Sequence, residues 1–176
     1  MEGRSHEDDT YPTQMAFIGA GFFFTRAEFL VDVPFDPYLP WLFMGEEVAL
    51  SIRAWTHGWN IYAPRKNLIG HQYRPIKMGV PHYWDTIQRF FHHSGVQARG
   101  TKFVHQRLKH MLGYPKFSSE DLQVSNMDES HNVLMEFEHY GLGTTRSRTE
   151  YLEFSEIDID TRTCGPMKWC SEGTLE

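Results

Sequence analysis

The sequence is short of the features that would place it quickly. Two cysteines, Cys164 and Cys170, are separated by five residues near the C-terminus. They are too few for a disulfide framework. Two free thiols are expected, with one local bridge as the alternative in an oxidising compartment. The longest apolar run, Met15 to Phe24, is ten residues and holds two glycines; a membrane-spanning helix needs about 20. The first ten residues, MEGRSHEDDT, are polar and acidic where a secretory signal is basic and then apolar. Basic charge is not in excess: 17 Lys and Arg against 23 Asp and Glu give a formal net charge of −6, which argues against a nucleic-acid binder. There is no internal repeat and no low-complexity stretch.

What remains is the composition of a globular domain, or of part of a larger one. The 176 residues are 40% hydrophobic and 15% aromatic. A folded chain of this length buries roughly 70% of the surface its unfolded form exposes. Residues 1–14 read as a polar lead-in, 15–160 as the domain and 161–176 as a tail. Within the domain, 15–80 reads as strand-rich and 81–160 as helical, so the fold class is α/β.

Met15 to Thr25 (MAFIGAGFFFT) reads as a buried strand, with Gly19 and Gly21 at bulge or close-approach positions. Val33 to Pro40 holds three prolines and cannot be regular. Glu46 to His57 reads as a helix with Val48, Ile52 and Trp55 on one face and Gly58 as its C-terminal glycine. Asn60–Ala63 and Asn67–Tyr73 read as short strands. Phe103, Val104, Leu108, Met111 and Leu112 form one helical face closed by Gly113. Val133, Leu134, Phe137 and Tyr140 form another closed by Gly141. Ser147 with Glu150 is a capping box opening a helix over Arg148–Phe154.

The chemistry is densest from Gly45 to Arg74. Glu46 and Glu47 stand where a loop meets a helix. Carboxylates there suit the helix dipole, and they can also accept hydrogen bonds from sugar hydroxyls or serve acid–base work. His71 follows Gly70 in an apolar strand pattern, and an imidazole there suits Mn²⁺ or Zn²⁺. Tyr73 and Arg74 are within reach of a phosphate. Arg53 reads as a structural pairing residue. Trp41 and Phe43, in the loop before Gly45, are the candidates for stacking on a sugar ring; Trp55, Trp59 and Trp84 read as core.

Taken in order, these residues resemble a known family. Gly45, Glu46, Ser51, Arg53, Trp55, Gly58, Pro64, Gly70, His71 and Arg74 follow the pattern of the second half of the catalytic domain of the polypeptide GalNAc-transferases. The closer resemblance is to the retaining α-GlcNAc-transferases that modify hydroxyproline or Ser/Thr in proteins, including Skp1. It rests on VPFDPYLPWLFMGEE, the R-x-W-T-x-G helix, the H-x-Y strand and YGLGTTRSRTEY, and it runs from about Phe17 to Asp158.

The resemblance implies a GT-A fold built on a mixed sheet, of which this chain is the acceptor-side half, followed by a helical C-terminal region. It implies metal-dependent transfer of GlcNAc from UDP-GlcNAc to a protein hydroxyl with retention. Mn²⁺ is the expected cation and His71 its ligand. Glu46 and Glu47 are the expected catalytic residues, and Trp41, Phe43, Gly45, Tyr73 and Arg74 the expected substrate contacts. The partners implied are a nucleotide-sugar donor and a protein acceptor, Skp1-like or rich in Ser, Thr and Pro. The cytoplasm is the expected location, or the Golgi lumen if an upstream anchor is missing.

The family places a D-x-D in a nucleotide-binding half ahead of this region. The only D-x-D here is Asp158–Asp160, which reads as an exposed acidic turn. Weak donor binding by this chain alone is therefore expected, and a non-catalytic remnant that binds acceptor peptide or carbohydrate is the alternative.

Overall fold

The computed structural model describes residues 12–64, 66–70, 96–114 and 133–165, with the backbone alone over 96–102. Its elements are β1 (Thr13–Met15), α1 (Phe29–Asp32), α2 (Glu46–Thr56), β2 (Ile61–Ala63), α3 (Val96–Leu112), α4 (Phe137–Tyr140), α5 (Arg148–Ser155), β3 (Ile157–Asp158) and β4 (Thr163–Cys164). This is an α/β chain with two small antiparallel pairs. β1 lies against β2 with Gln14 opposite Tyr62, and β3 lies against β4. No mixed sheet occurs among the described residues.

The strand expected over 15–25 is corrected: β1 ends at Met15. Beyond it the chain hydrogen-bonds to side chains of α2 instead of to a neighbouring strand. The Ile18 N–H donates to Ser51 Oγ at 2.8 Å, and the Ala20 N–H donates to Glu47 Oε1 at 2.9 Å. The spacing explains the match. Two residues of extended chain advance about 6.7 Å and four residues of helix about 6 Å, so alternate amides face acceptors one helical turn apart. Ala16 and Ile18 turn inward, while Phe22 and Phe24 are exposed, Phe24 at 93%. Phe23 leans edge-on against Phe29.

Helix α2 is the central element. An amphipathic helix with one buried face was expected. Instead, burial extends over Ala49, Ser51, Ile52, Arg53, Ala54 and Thr56, because different segments cover different sides. Residues 16–20 cover one side, α3 and α5 pack on others, and residues 141–146 close the C-terminal end. That end is a Schellman motif: the Gly58 N–H reaches Trp55 O and the Trp59 N–H reaches Ala54 O, both at 2.9 Å. Gly58 has φ +90°, the left-handed conformation the motif requires.

The segment after α4 is fitted to this helix end. Thr56 Oγ1 accepts from the Gly143 N–H at 2.9 Å, and Thr56 O accepts from the Thr145 N–H at 2.9 Å. Arg146 donates to Gly58 O and lies over the Trp55 ring, which stacks on Phe154 of α5. The Tyr151 hydroxyl donates to Ala16 O at 3.2 Å. Burial pushes that hydroxyl's pKa up, partly offset by a hydrogen bond with Ser51. Arg53 is 2% exposed. Its guanidinium donates to Pro34 O at 2.6 Å and Gly141 O at 3.3 Å. Burial draws its pKa down to about 10, against the pull of Asp36, so it stays charged at neutral pH. Arg53 is thus the pairing residue expected.

Two small apolar clusters flank α2. One joins Ile18, Phe29, Val33 and Ala54; the other joins Phe103, Val104 and Val133 to Tyr38, Leu39 and Leu42. Helix α3 carries the second cluster and closes at Gly113 as the sequence suggests, with Tyr114 N–H bonded to Lys109 O. Helix α5 opens on the expected capping box, Ser147 with Glu150. Those reciprocal bonds hold the Glu150 carboxyl below its usual range.

Two tests follow from these contacts. Thr56→Val keeps the shape but leaves the Gly143 amide without its acceptor. It is expected to cost about 1–3 kcal/mol in urea unfolding, whereas Thr56→Ser retains the bond and should lose less. The second test concerns His110, whose pKa is lowered by burial, then by Arg148 and Arg107. The unfolded chain takes up that proton near 6.5, and the folded chain only at lower pH. Stability is therefore lost as pH falls from neutral through that range. His110→Gln should narrow the difference in melting temperature between pH 7 and pH 5.5.

Candidate active site

The loop that leads into α2 is built around Asp36. Proline on either side keeps residues 33–40 out of regular structure. Asp36 Oδ1 accepts from the Tyr38 N–H at 2.9 Å, and Asp36 O accepts from the Leu39 N–H at 3.2 Å, which fixes a turn. Asp36 Oδ2 pairs with Arg107 Nε of α3 at 2.7 Å, with both side chains almost fully buried. Tyr38, Leu39 and Leu42 then face the second apolar cluster. Desolvation, and after it the nearby Glu136 carboxylate, raises the pKa of the Tyr38 hydroxyl.

The other residues of the loop face outward. Trp41 is 64% exposed, Phe43 45% and Met44 68%. Trp41 also has φ +61°, in the left-handed region. A bulky residue there stores roughly 1–3 kcal/mol of strain. The strained backbone holds a large flat ring mostly at the surface. That combination is typical of a ligand contact.

Gly45 ends the loop as the N-cap of α2 with φ +105°. A side chain there would be strained, and a Cβ would come within 2.6 Å of Leu108 Cδ2. Glu46 and Glu47 follow in the first turn of α2. Consecutive helix positions diverge by about 100°, and the two carboxylates do different things. Glu47 is tied to the Ala20 amide. Glu46 is half-buried and has no side-chain hydrogen bond among the described residues. Of the two, Glu46 is the one available to a ligand at the helix mouth.

Trp41, Phe43, Gly45, Glu46 and Glu47 therefore lie together in one stretch of loop and helix start. His71, Tyr73 and Arg74 lie outside the described residues. So does Trp84. Gly70, next to His71, is exposed, and a Cβ on it would meet nothing within 4 Å. Among the described residues no three His, Cys, Asp or Glu side chains converge as a metal site. Asp158 Oδ1 accepts from the Asp160 and Thr161 amides, both at 2.9 Å, so the D-x-D is the acidic turn expected. Those amide bonds hold the Asp158 carboxyl below its usual range. Cys164 is an exposed free thiol; Cys170 lies outside the described residues. No described helix is long and apolar enough to cross a membrane.

Reading the sequence missed the Asp36–Arg107 pair. Its one local signal is an aspartate set between two prolines, in a loop that regular hydrogen bonding cannot hold.

The family model for GlcNAc glycosyltransferases matches residues 2–161. The chain belongs to that glycosyltransferase family. No curated protein sequence and no solved structure matches it. The family implies a sugar donor and an acceptor as its partners.

The Gly45 geometry can be checked directly. Gly45→Ala is expected to destabilise the chain by about 1–3 kcal/mol in urea unfolding. Leu108→Ala on that background should relieve the clash while leaving the backbone cost. The double variant should then lose less than the two single changes added together.

Proposed function

We propose that the chain transfers GlcNAc from UDP-GlcNAc to a hydroxyl of a protein acceptor, hydroxyproline or Ser/Thr, with retention of configuration. In this reading it forms the acceptor-side part of a GT-A domain. The observation that supports it most directly is the helix mouth: a half-buried Glu46 carboxylate without a side-chain hydrogen bond among the described residues, a few positions after exposed Trp41 and Phe43, in a chain of the GlcNAc glycosyltransferase family.

The roles follow from the chemistry. Sugar rings have apolar faces that stack on flat aromatic side chains, the part given to Trp41 and Phe43. Glu46 accepts a hydrogen bond from a sugar or acceptor hydroxyl and can take its proton as the hydroxyl attacks. Glu47 holds residues 16–20 against the helix, so its part is to keep the mouth in shape. Tyr73 and Arg74 are assigned to the donor phosphates. A divalent cation, when bound, neutralises charge on the departing diphosphate. The described residues do not by themselves form a site for it, and its assigned ligand, His71, lies outside them. The work given to the described side chains is binding and proton transfer.

A second reading, an acceptor- or carbohydrate-binding module without donor chemistry, is favoured by one observation. The sole D-x-D is used up in the β3–β4 turn. UDP release from UDP-GlcNAc with Mn²⁺ and a hydroxyproline or Ser/Thr peptide separates the two. The expected result is slow release with a donor KM near the upper end of the usual range, ~1 mM. Glu46→Gln should lower kcat by about 10²- to 10⁴-fold, and His71→Ala should weaken donor binding. Turnover untouched by either change would remove the site assignment. Peptide binding with no release at all would favour the second reading.

A further inference from the structure

We propose that Arg107 is a positioning residue for sugar transfer, acting through Asp36 to hold the Trp41–Glu46 segment in its working geometry. The inference rests on the transfer reaction proposed above and adds a residue some sixty positions further along the chain.

Both ends of the loop rest on neighbouring residues of α3. Asp36 pairs with Arg107 at 2.7 Å, and Gly45 sits against the side chain of Leu108. Between these ends the backbone makes few bonds of its own, among them Leu39 N–H to Asp36 O and Leu42 N–H to Leu39 O. The loop's shape is therefore set mainly from outside, by the pair, by the apolar cluster and by the glycine contact.

Arg107 is unusually committed to this task. It is 0% exposed. Besides Asp36, its guanidinium donates to Val133 O at 2.6 Å and Met135 O at 3.0 Å, and it lies over the rings of Tyr38 and Phe137. Its Nη2 has no hydrogen-bond partner among the described residues. Taking two charges out of water is costly, and apolar residues of equal volume often serve stability as well or better. A buried pair with one nitrogen unsatisfied is a poor device for stability alone. What it provides and an apolar pair does not is direction: a bond that locks Asp36, and hence the turn at Tyr38, to one place on α3.

The test uses the full chain with both partners replaced, Asp36→Leu with Arg107→Met, because changing either alone leaves a buried unpaired charge and endangers folding. Two readings are taken: amide exchange over residues 38–45, and UDP release as a function of donor concentration. The double variant also removes the acceptor of the Tyr38 amide and the donor to Val133 O and Met135 O, so it should melt below the parent while still unfolding cooperatively, and its loop should exchange about tenfold faster while the helix α2 amides change less. Its kcat should fall about 10- to 100-fold, the scale of a misplacement of ~1 Å, with donor KM changed less than about threefold. Arg107→Lys, which keeps the charge opposite Asp36, should recover part of kcat. Unchanged loop exchange overturns the proposal, as does unchanged kcat in an otherwise active protein. If the parent chain releases no UDP with donor and acceptor present, the transfer reading fails and this role fails with it. An active parent with an equally active double variant rejects the positioning role and leaves the transfer reading intact.

Discussion

Burying a guanidinium is costly unless acceptors receive most of its N–H groups, and that requirement organises this chain. Arg53 sits in the middle of α2, almost wholly buried, and among the described residues its guanidinium donates to the carbonyls of Pro34 and Gly141. Those carbonyls come from the loop before the helix and from the turn after α4. One side chain thus fixes where two distant segments meet the central helix. The remaining contacts at the helix C-terminus, from Thr56 to Gly143 and Thr145 and from Arg146 to Gly58, extend the same arrangement.

This gives the long motifs of the chain separate duties. R-x-W-T-x-G and Y-G-L-G-T-T-R fit each other, and neither reaches the helix mouth. V-P-F-D-P-Y-L-P turns inward through Asp36, Tyr38 and Leu39, and of the residues after it Leu42 also turns inward while Trp41, Phe43 and Met44 turn outward. The mouth is therefore a small exposed region carried on a scaffold of buried polar contacts. Loop and helix start can present a strained tryptophan and a half-buried glutamate because the parts behind them are so thoroughly tied.

What could be read from the sequence was local. The capping box at Ser147 and Glu150, the closing glycines 58 and 113 and the acidic turn at Asp158 all depend on residues within a few positions of each other. The pairing role of Arg53 followed from its place on a helix, though its partners did not. The strand over 15–25 was misread because a short apolar, aromatic run signals extended chain without saying what the backbone bonds to. Here the bonds go to Ser51 and Glu47. The Asp36–Arg107 pair was out of reach for a different reason. Its members lie 71 residues apart, and no periodicity links them. Of the candidate site, the cluster from Trp41 to Glu47 was legible because it is contiguous. The division of labour between Glu46 and Glu47 depended on the unforeseen course of residues 16–20.

The separation between α2 and the turn that completes it also bears on how the protein is made. Arg53 and Gly141 are 88 residues apart, as are Gly58 and Arg146. At a translation rate of roughly 5–20 residues per second, the ribosome needs about 4–18 s to deliver the second partner after the first. Throughout that interval Arg53 has Pro34 O but not yet Gly141 O as an acceptor, and Gly58 O lacks the Arg146 donor. The native packing of α2 has to wait for residues 141–146, so nascent-chain quality control would meet this segment while it is still incomplete.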